Sequence, residues 1–203
     1  ATALKLVTWH DGEDPFARLS GLLVQVGAGG GAVALEQEAF SVGQLMQLAG
    51  AMQLAAGALL AAAADLSPVL SDLRECKGED EVAWMQQAAD VVNPALEAAL
   101  KAIRPGVTER EIARTLEDAM SAAGAEGVAF DTHVLFGPAS ALPHGETGGR
   151  VLERGQVVLM DFGALYRGYR SDITRTVCCG EWPAELARVY DVVLAANRAG
   201  IAA

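Results

Sequence analysis

A short apolar run that ends in an aspartate constrains the fold of this chain more than any other feature. Residues 157–160 read Val-Val-Leu-Met, and Asp161 follows directly. An uninterrupted apolar run of this length predicts a buried β-strand. Residues 166–168 predict a tight turn, and residues 171–178 predict a return strand that carries Asp172 near its start. A hairpin of this kind would allow the two carboxylates to face one space.

The two aspartates admit two interpretations. A carboxylate at the end of an apolar strand is costly to bury unless it is paired or bound to a metal. Two converging hard oxygen ligands predict a site for one divalent cation, or a bridge between two. The structural alternative is that Asp161 hydrogen-bonds the backbone at a strand end, while Asp172 pairs with Arg170 or Arg175. The spacing alone leaves both interpretations open.

Two amphipathic helices precede these strands. Apolar residues recur three or four apart over residues 78–103, which predicts one long helix. Thr108, with Glu111 three residues later, forms a capping-box pattern and predicts the start of a second helix. Residues 129–136 predict an extended segment, and residues 183–196 predict a further helix. Two helices, then antiparallel strands, then a helix are typical of an α+β fold.

The region before these helices predicts a small α/β unit. A strand over residues 4–9, a helix over 16–26, a strand over 32–36 and a helix that begins at Ser41 give the order β-α-β-α. The last helix is expected to continue through an alanine-rich run to residue 64. No Gly-x-Gly-x-x-Gly pattern lies at a strand–helix junction, so no dinucleotide site is predicted.

A polar segment with a proline predicts a linker between the two regions. Residues 65–71 contain Pro68, and the composition becomes more charged after them. We therefore expect an amino-terminal α/β region over residues 1–71 and a second domain over residues 72–203. The chain does not begin with Met, and its last helical pattern has no convincing stop. Both ends are expected to be cuts through a longer protein.

Charge and composition exclude several classes of partner. The net charge is −11 and the pI is about 4.6, which argues against nucleic acid and anionic membranes, since both attract basic surfaces. The uncharged run over residues 48–64 is short for a membrane span and rich in alanine, so a buried helix is predicted. Three cysteines without zinc-binding spacing, and no visible signal peptide, predict a reduced, cytoplasmic protein.

Three short motifs carry a specific pattern: Pro143-His144-Gly145, Asp161-Phe162-Gly163 and Gly168-Tyr169-Arg170-Ser171-Asp172-Ile173-Thr174-Arg175-Thr176. They resemble motifs of the pita-bread metallopeptidases, and most of all those of the aminopeptidase P and prolidase branch, which cuts beside proline. Two upstream segments resemble the same family, Leu73-Arg74-Glu75-Cys76-Lys77 and Pro105-Gly106-Val107-Thr108-Glu109. The resemblance covers residues 72–203 well and residues 1–70 loosely.

The resemblance implies the first half of a pita-bread fold, preceded by part of a small α/β amino-terminal domain. It implies that Asp161 binds one divalent metal ion, that Asp172 bridges two, and that His144 lies near the substrate. Mn²⁺ is the expected metal, with Co²⁺ or Zn²⁺ as alternatives. The expected reaction is hydrolysis of the Xaa-Pro bond of peptides or dipeptides by metal-activated water. The implied partners are a proline-containing peptide and a second copy in a homodimer.

The resemblance also defines what this chain lacks. The family's site has five protein ligands, and its remaining His and two Glu have no counterpart after Asp172. The 203-residue chain is therefore expected to bind metal weakly and to be inactive alone, as a fragment or a shortened paralogue. A non-catalytic binding protein and a non-metal hydrolase of the creatinase type are alternatives on the same fold, and the two aspartates argue against the second.

We expect other polar residues near the motifs to support the structure around the two aspartates. Thr174, Arg175 and Thr176 are expected to hold the aspartate strand by hydrogen bonds. His133 follows another aspartate and could face a cleft, but a structural role is predicted for it. The only functional histidine predicted in this chain is therefore His144.

Overall fold

The structure is a computed structural model that describes residues 7–25, 34–54, 59 and 63–203. The chain divides into two compact units between Lys77 and Gly78. Among the described residues, no helix is long and apolar enough to cross a membrane.

The first unit combines helices with a two-stranded parallel sheet. Its described elements are α1 (Pro15–Gln25), β1 (Ala34–Leu35), α2 (Val42–Ala51), β2 (Ala64–Asp65) and α3 (Ser67–Glu75). Helix α1 and strand β1 confirm the predicted helix over residues 16–26 and the predicted strand within 32–36. The strand predicted over residues 4–9 lies partly outside the described residues, and residues 7–9 have no regular structure.

Helix α2 begins as the Ser41 cap predicts. The Ser41 hydroxyl accepts the Gln44 N–H at 3.2 Å, and the Gln44 side-chain oxygen accepts the Ser41 N–H at 2.9 Å. The expectation that the helix continues to residue 64 is wrong, because it ends at Ala51. Gln53 adopts a left-handed φ of 57°, a conformation that stops a helix. Residues 55–58 and 60–62 of the alanine-rich run lie outside the described residues.

Residues 65–71 are not a linker, in contrast to the prediction. Asp65 ends β2, and α3 begins at Ser67. Hydrogen bonds from the Ser67 hydroxyl and its N–H lower the pKa of Asp65 and fix this junction. Pro68 lies in the first turn of α3, where its missing N–H removes no helical hydrogen bond. A polar segment with a proline is compatible with a helix start as well as with a linker.

Two packed helices open the second unit. Helix α4 spans Glu79–Ala102 and α5 spans Glu109–Ala122, as the periodicity predicts. The predicted capping box is present, since the Thr108 hydroxyl accepts the Glu111 N–H at 3.3 Å and the Glu111 carboxylate accepts the Thr108 N–H at 2.8 Å. Hydrogen bonds from the N–H and hydroxyl of Thr108 lower the pKa of Glu111. The cap therefore sets the residue at which α5 begins.

Six strands and a last helix follow these helices. They are β3 (Gly127–Val128), β4 (His133–Phe136), β5 (Val157–Phe162), β6 (Ala164–Tyr166), β7 (Tyr169–Arg170), β8 (Ile173–Cys178) and α6 (Ala184–Ala202). The strands form two antiparallel sheets, with the orders β4-β5-β8 and β3-β6-β7. The predicted α+β layout is confirmed for this unit.

Strand β5 is buried on one face only, although the sequence predicts a fully buried strand. Val158, Met160 and Phe162 are buried in a core that also contains residues of α4 and α5. The alternate residues, Asp161 among them, are half-buried. Side chains of a strand alternate between two faces, and helices cover only one face here. The other face is where the candidate site lies.

Candidate active site

Strand register places three polar side chains in one row. Asp161 in β5 lies opposite His133 in β4 and opposite Thr174 in β8. Residues directly opposite each other in antiparallel strands project from the same face. Asp161 is therefore flanked by an imidazole on one neighbouring strand and by a hydroxyl on the other.

A hydrogen bond orients the carboxylate of Asp161. The Thr174 hydroxyl donates to Oδ1 of Asp161 at 2.9 Å, as predicted for a supporting threonine. Arg175 instead donates to the carbonyl oxygen of Thr174 at 2.9 Å. Within the described chain, Oδ2 of Asp161 accepts no hydrogen bond, so one oxygen is held while the other stays available.

The turn at residues 167–168 is present, but it closes a different hairpin from the one predicted. Arg167 and Gly168 have positive φ values of 48° and 82° and join β6 to β7, which lie in the other sheet. Strand β8 pairs with β5 so that Asp161 opposes Thr174 rather than Asp172. The predicted return strand is therefore confirmed, but the turn assigned to it is wrong, because the chain changes sheets on both sides of that turn.

Gly163 allows the returning strand to approach β5. A Cβ at this position would overlap the carbonyl oxygen of Ser171 and lie 2.8 Å from its carbonyl carbon. Ser171 is tied to Ala164, because its N–H donates to the Ala164 carbonyl at 3.0 Å and its hydroxyl accepts the Ala164 N–H at 3.0 Å. Asp172 is the next residue, so the glycine of the Asp-x-Gly motif helps to set its position.

One cavity of about 670 Å³ brings together the three predicted site residues, His144, Asp161 and Asp172. Its other lining residues are Phe130, Asp131, Thr132, His133, Pro143, Glu146 and Thr147. His144 and Asp172 are exposed, and Asp161 is half-buried. The lining holds four carboxylates and two imidazoles, a donor set that suits a divalent cation. Their roles as metal ligands and catalytic group stay predictions.

The ion pairs of the structural alternative are absent. The Arg170 guanidinium donates to the carbonyl oxygen of Ala129, and Arg175 bonds the backbone as described above. In the described part of the chain, Asp172 takes part in no ion pair and accepts no side-chain hydrogen bond. Its carboxylate is therefore uncommitted, as a metal ligand requires.

The described residues offer at most part of a metal-ligand set. Among the described residues, no three His, Cys, Asp or Glu side chains are grouped closely enough to hold a metal ion. Asp161 and Asp172 fit a hard cation in chemistry and in their lack of competing partners. Two carboxylates alone hold such an ion weakly, because Mn²⁺ and similar ions take several more ligands.

The turn that carries His144 packs on strand β4. Gly145 is buried, and a Cβ there would lie 2.7 Å from Cδ1 of Leu135. Its N–H donates to the carbonyl oxygen of Leu142 at 3.2 Å. Leu135 lies two residues from His133 in β4, and therefore on the face that carries Asp161. The glycine allows the turn to lie close against this face, with the exposed His144 beside it.

Sequence reasoning missed the other acidic residues of the cavity. Asp131 and Glu146 both line it, beside His133. Alternation along the extended segment contains a signal, since Asp131 and His133 are two residues apart and project to one side. The structural role predicted for His133 stays a prediction. The burial of Glu109 was also missed.

The sequence matches the model of metallopeptidase family M24 over residues 83–203, more than half of the chain. It is 39% identical over 138 residues to a Xaa-Pro dipeptidase of Pyrococcus furiosus, and 39% identical over 142 residues to the uncharacterized peptidase YqhT of Bacillus subtilis. Each match covers 68% of this chain and 40% of the relative. The chain thus spans less than half the length of these curated relatives.

Solved structures with similar folds agree with this match. The X-Pro aminopeptidase of Thermotoga maritima superposes with a TM-score of 0.78 at 35% identity, over 93% of this chain and 51% of that one. The prolidase of Pyrococcus furiosus gives a TM-score of 0.71 at 34% identity, over 79% of this chain and 45% of that one. By its sequence and by its α+β pita-bread fold, this chain belongs to metallopeptidase family M24.

Proposed function

We propose that the protein containing this chain hydrolyses the Xaa-Pro bond of peptides or dipeptides, with Asp161 and Asp172 as ligands of two divalent metal ions. The observation that carries the proposal is the single cavity lined by both aspartates and by His144. The names of similar proteins support it, since they include Xaa-Pro dipeptidases, prolidases and an X-Pro aminopeptidase. Because this chain spans only part of those proteins, the activity is proposed for the protein as a whole.

Mn²⁺ is the proposed metal, with Co²⁺ or Zn²⁺ as alternatives. Carboxylate oxygens suit Mn²⁺, and neither aspartate is neutralised by a lysine or arginine among the described residues. When bound, such ions lower the pKa of a coordinated water and polarise the scissile carbonyl group. The chain contributes the acidic residues that hold them.

Two side chains of this chain have further proposed tasks. Thr174 holds Oδ1 of Asp161 in one orientation through its 2.9 Å hydrogen bond, so the carboxylate needs no rearrangement to bind a cation. His144 lies on an exposed turn at the cavity and donates a hydrogen bond to the substrate carbonyl as negative charge develops there. A proline-containing peptide is therefore the proposed partner.

A second candidate is a binding protein or an inactive fragment of the same fold. The observation that favours it is the incomplete ligand set, since no three metal-binding side chains are grouped among the described residues. The isolated 203-residue chain is accordingly expected to bind metal weakly and to show no turnover. The two proposals differ in whether a longer protein supplies the remaining ligands.

The test is hydrolysis of a Xaa-Pro dipeptide and of a longer Xaa-Pro peptide by the full-length protein. Activity should disappear after chelation and return with Mn²⁺. Asp161→Asn and Asp172→Asn should each reduce kcat/KM by at least about a thousandfold, because each removes a charged metal ligand. Asp118→Asn is the matched control, since Asp118 is an exposed acid on α5 outside the cavity. No turnover of either peptide by the full-length protein would overturn the proposal.

Assembly is tested separately from activity. A homodimer and a cytoplasmic location are proposed from the resemblance and from the cysteine content. Intact mass decides whether the purified chain is the 21.1 kDa species or part of a larger one. Sedimentation of the full-length protein then gives twice its own mass if the dimer prediction is right.

A further inference from the structure

Glu109 is a fully buried carboxylate at the first residue of α5. Its exposure is 0%, and it is the only charged residue in the buried set of the described chain. A carboxylate leaves water at high cost unless several donors replace the water. The donors around Glu109 therefore show what the side chain holds together.

Three donors reach the carboxylate from outside its own helix. Oε1 accepts the Phe136 N–H at 2.9 Å, and Oε2 accepts the Gly148 N–H at 2.8 Å. The half-exposed Arg150 places Nη1 at 3.3 Å from Oε1 and 3.1 Å from Oε2. The two N–H groups come from the end of β4 and from the loop that leads towards β5. One carboxylate thus joins two backbone segments to helix α5.

The two backbone donors lie at opposite ends of the segment that carries His144. Phe136 precedes residues 137–147, and Gly148 follows them. A single side chain therefore closes this loop at its base, which limits the positions that the loop can adopt. Thr147 adds a second tie, because its hydroxyl accepts the Val134 N–H at 2.8 Å and donates to the Thr132 carbonyl at 2.9 Å.

Capping of α5 does not explain Glu109. That task is performed by Thr108 and Glu111, whose reciprocal hydrogen bonds complete the capping box. Every hydrogen bond of the Glu109 carboxylate goes to a residue outside α5. The last residue of the Pro-Gly-x-Thr-Glu motif therefore makes tertiary contacts rather than capping its own helix.

We propose that Glu109 is a positioning residue that fixes both ends of the His144 segment and thereby sets where His144 lies in the cavity. The functional importance of that position rests on the proposed peptidase function. The structural part of the proposal does not, since it concerns only which contacts hold the loop. Both oxygens are needed, because glutamine has one acceptor oxygen and cannot accept both N–H groups in this geometry.

The first test measures the loop in the 203-residue chain without metal. In Glu109→Gln, amide exchange of Phe136 and Gly148 should accelerate about tenfold or more, as expected for losing a hydrogen bond to a charged group. The nuclear Overhauser contact between Gly145 Hα and the Leu135 methyl groups should weaken. Glu111→Gln is the matched control: it removes a carboxylate from the same helical turn and should leave the exchange and the contact unchanged.

The second test measures the distance of His144 from a metal ion. Mn²⁺ bound near Asp161 and Asp172 should broaden the ring resonances of His144. In Glu109→Gln the Mn²⁺ affinity should stay within about threefold of the native value, because the aspartates are untouched, while the broadening of His144 decreases. A general loss of stability would instead change both the Mn²⁺ affinity and the broadening of His144. If Mn²⁺ broadens no cavity residue, the proposed metal site fails while the first test still decides the role of Glu109.

A second variant covers the possibility that Glu109→Gln does not fold. Arg150→Gln changes a half-exposed side chain and removes the charged donor to Glu109. It should accelerate exchange at Phe136 and Gly148 in the same direction by a smaller factor. The proposal is overturned if either variant folds and keeps native exchange at both amides and an unchanged Gly145 to Leu135 contact.

Discussion

Replacing Gly163 by alanine should weaken both the fold and the candidate metal site. An alanine Cβ would overlap the Ser171 carbonyl oxygen, lie 2.8 Å from its carbonyl carbon and 3.1 Å from Cβ of Ala129. Ordinary contacts of a Cβ begin at 3.4 Å. The carbonyl carbon alone requires the two segments to separate by about 0.6 Å, and the nearer carbonyl oxygen requires more; both segments are backbone in a close-packed region.

The separation disturbs hydrogen bonds as well as packing. Ser171 donates to the Ala164 carbonyl at 3.0 Å, and Ala129 donates to the Gly163 carbonyl at 2.8 Å. Overpacking costs about 1–3 kcal/mol, and each weakened hydrogen bond costs about 0.5–1.5 kcal/mol. We expect Gly163→Ala to lower the free energy of unfolding by about 2–5 kcal/mol.

Urea denaturation followed by tryptophan fluorescence measures this loss, since Trp84 and Trp182 lie in the second unit. Gly127→Ala is the control, because a Cβ there meets nothing within 4 Å. The control should change stability by less than about 1 kcal/mol. Mn²⁺ affinity should also fall in Gly163→Ala, because Asp172 moves with the displaced strand. Native stability with native Mn²⁺ affinity would refute the link between this glycine and Asp172.

Two further predictions concern single hydrogen-bonding groups. Thr174→Val should weaken Mn²⁺ binding by about 10- to 100-fold in calorimetric titration, as for other residues that orient a metal ligand, and an unchanged affinity would show that Asp161 needs no support. Glu111→Gln should reduce the loss of stability in acid. The pKa of Glu111 is lowered in the folded chain, so its contribution is present above the unfolded pKa and disappears as the pH falls through the folded pKa. Thermal melts of both proteins between about pH 3 and pH 6 measure the difference, and equal slopes would contradict it.

Features with a local cause were predicted from the sequence. The capping box at Thr108 requires only a hydroxyl and a carboxylate three residues apart, so the start of α5 needed no tertiary information. The local signal was ambiguous at residues 65–71. Pro68 suits a linker and the first turn of a helix equally, and only the pairing of β2 beside it decides between them.

The candidate site was predicted through its motifs rather than through its geometry. The resemblance named His144, Asp161 and Asp172, which the structure places on one cavity. The predicted pairing of the return strand with β5 is confirmed, but the turn at residues 167–168 does not close that hairpin. A turn such as residues 167–168 is visible in the sequence, but the strand that follows it can pair with more than one earlier strand.

Glu109 shows why such features escape local reasoning and how they can be found. An acidic residue in the first turn of a helix is expected to face solvent and to interact with the helix dipole. The donors that bury it instead lie 27, 39 and 41 residues away, and two of them are backbone N–H groups that no side-chain pattern marks. The cap of α5 is already complete without Glu109, just as the end of β5 requires no glycine at 163. Motif residues that local structure leaves unexplained are therefore the ones to examine for contacts between distant segments, and in this chain both such contacts position residues of the same cavity.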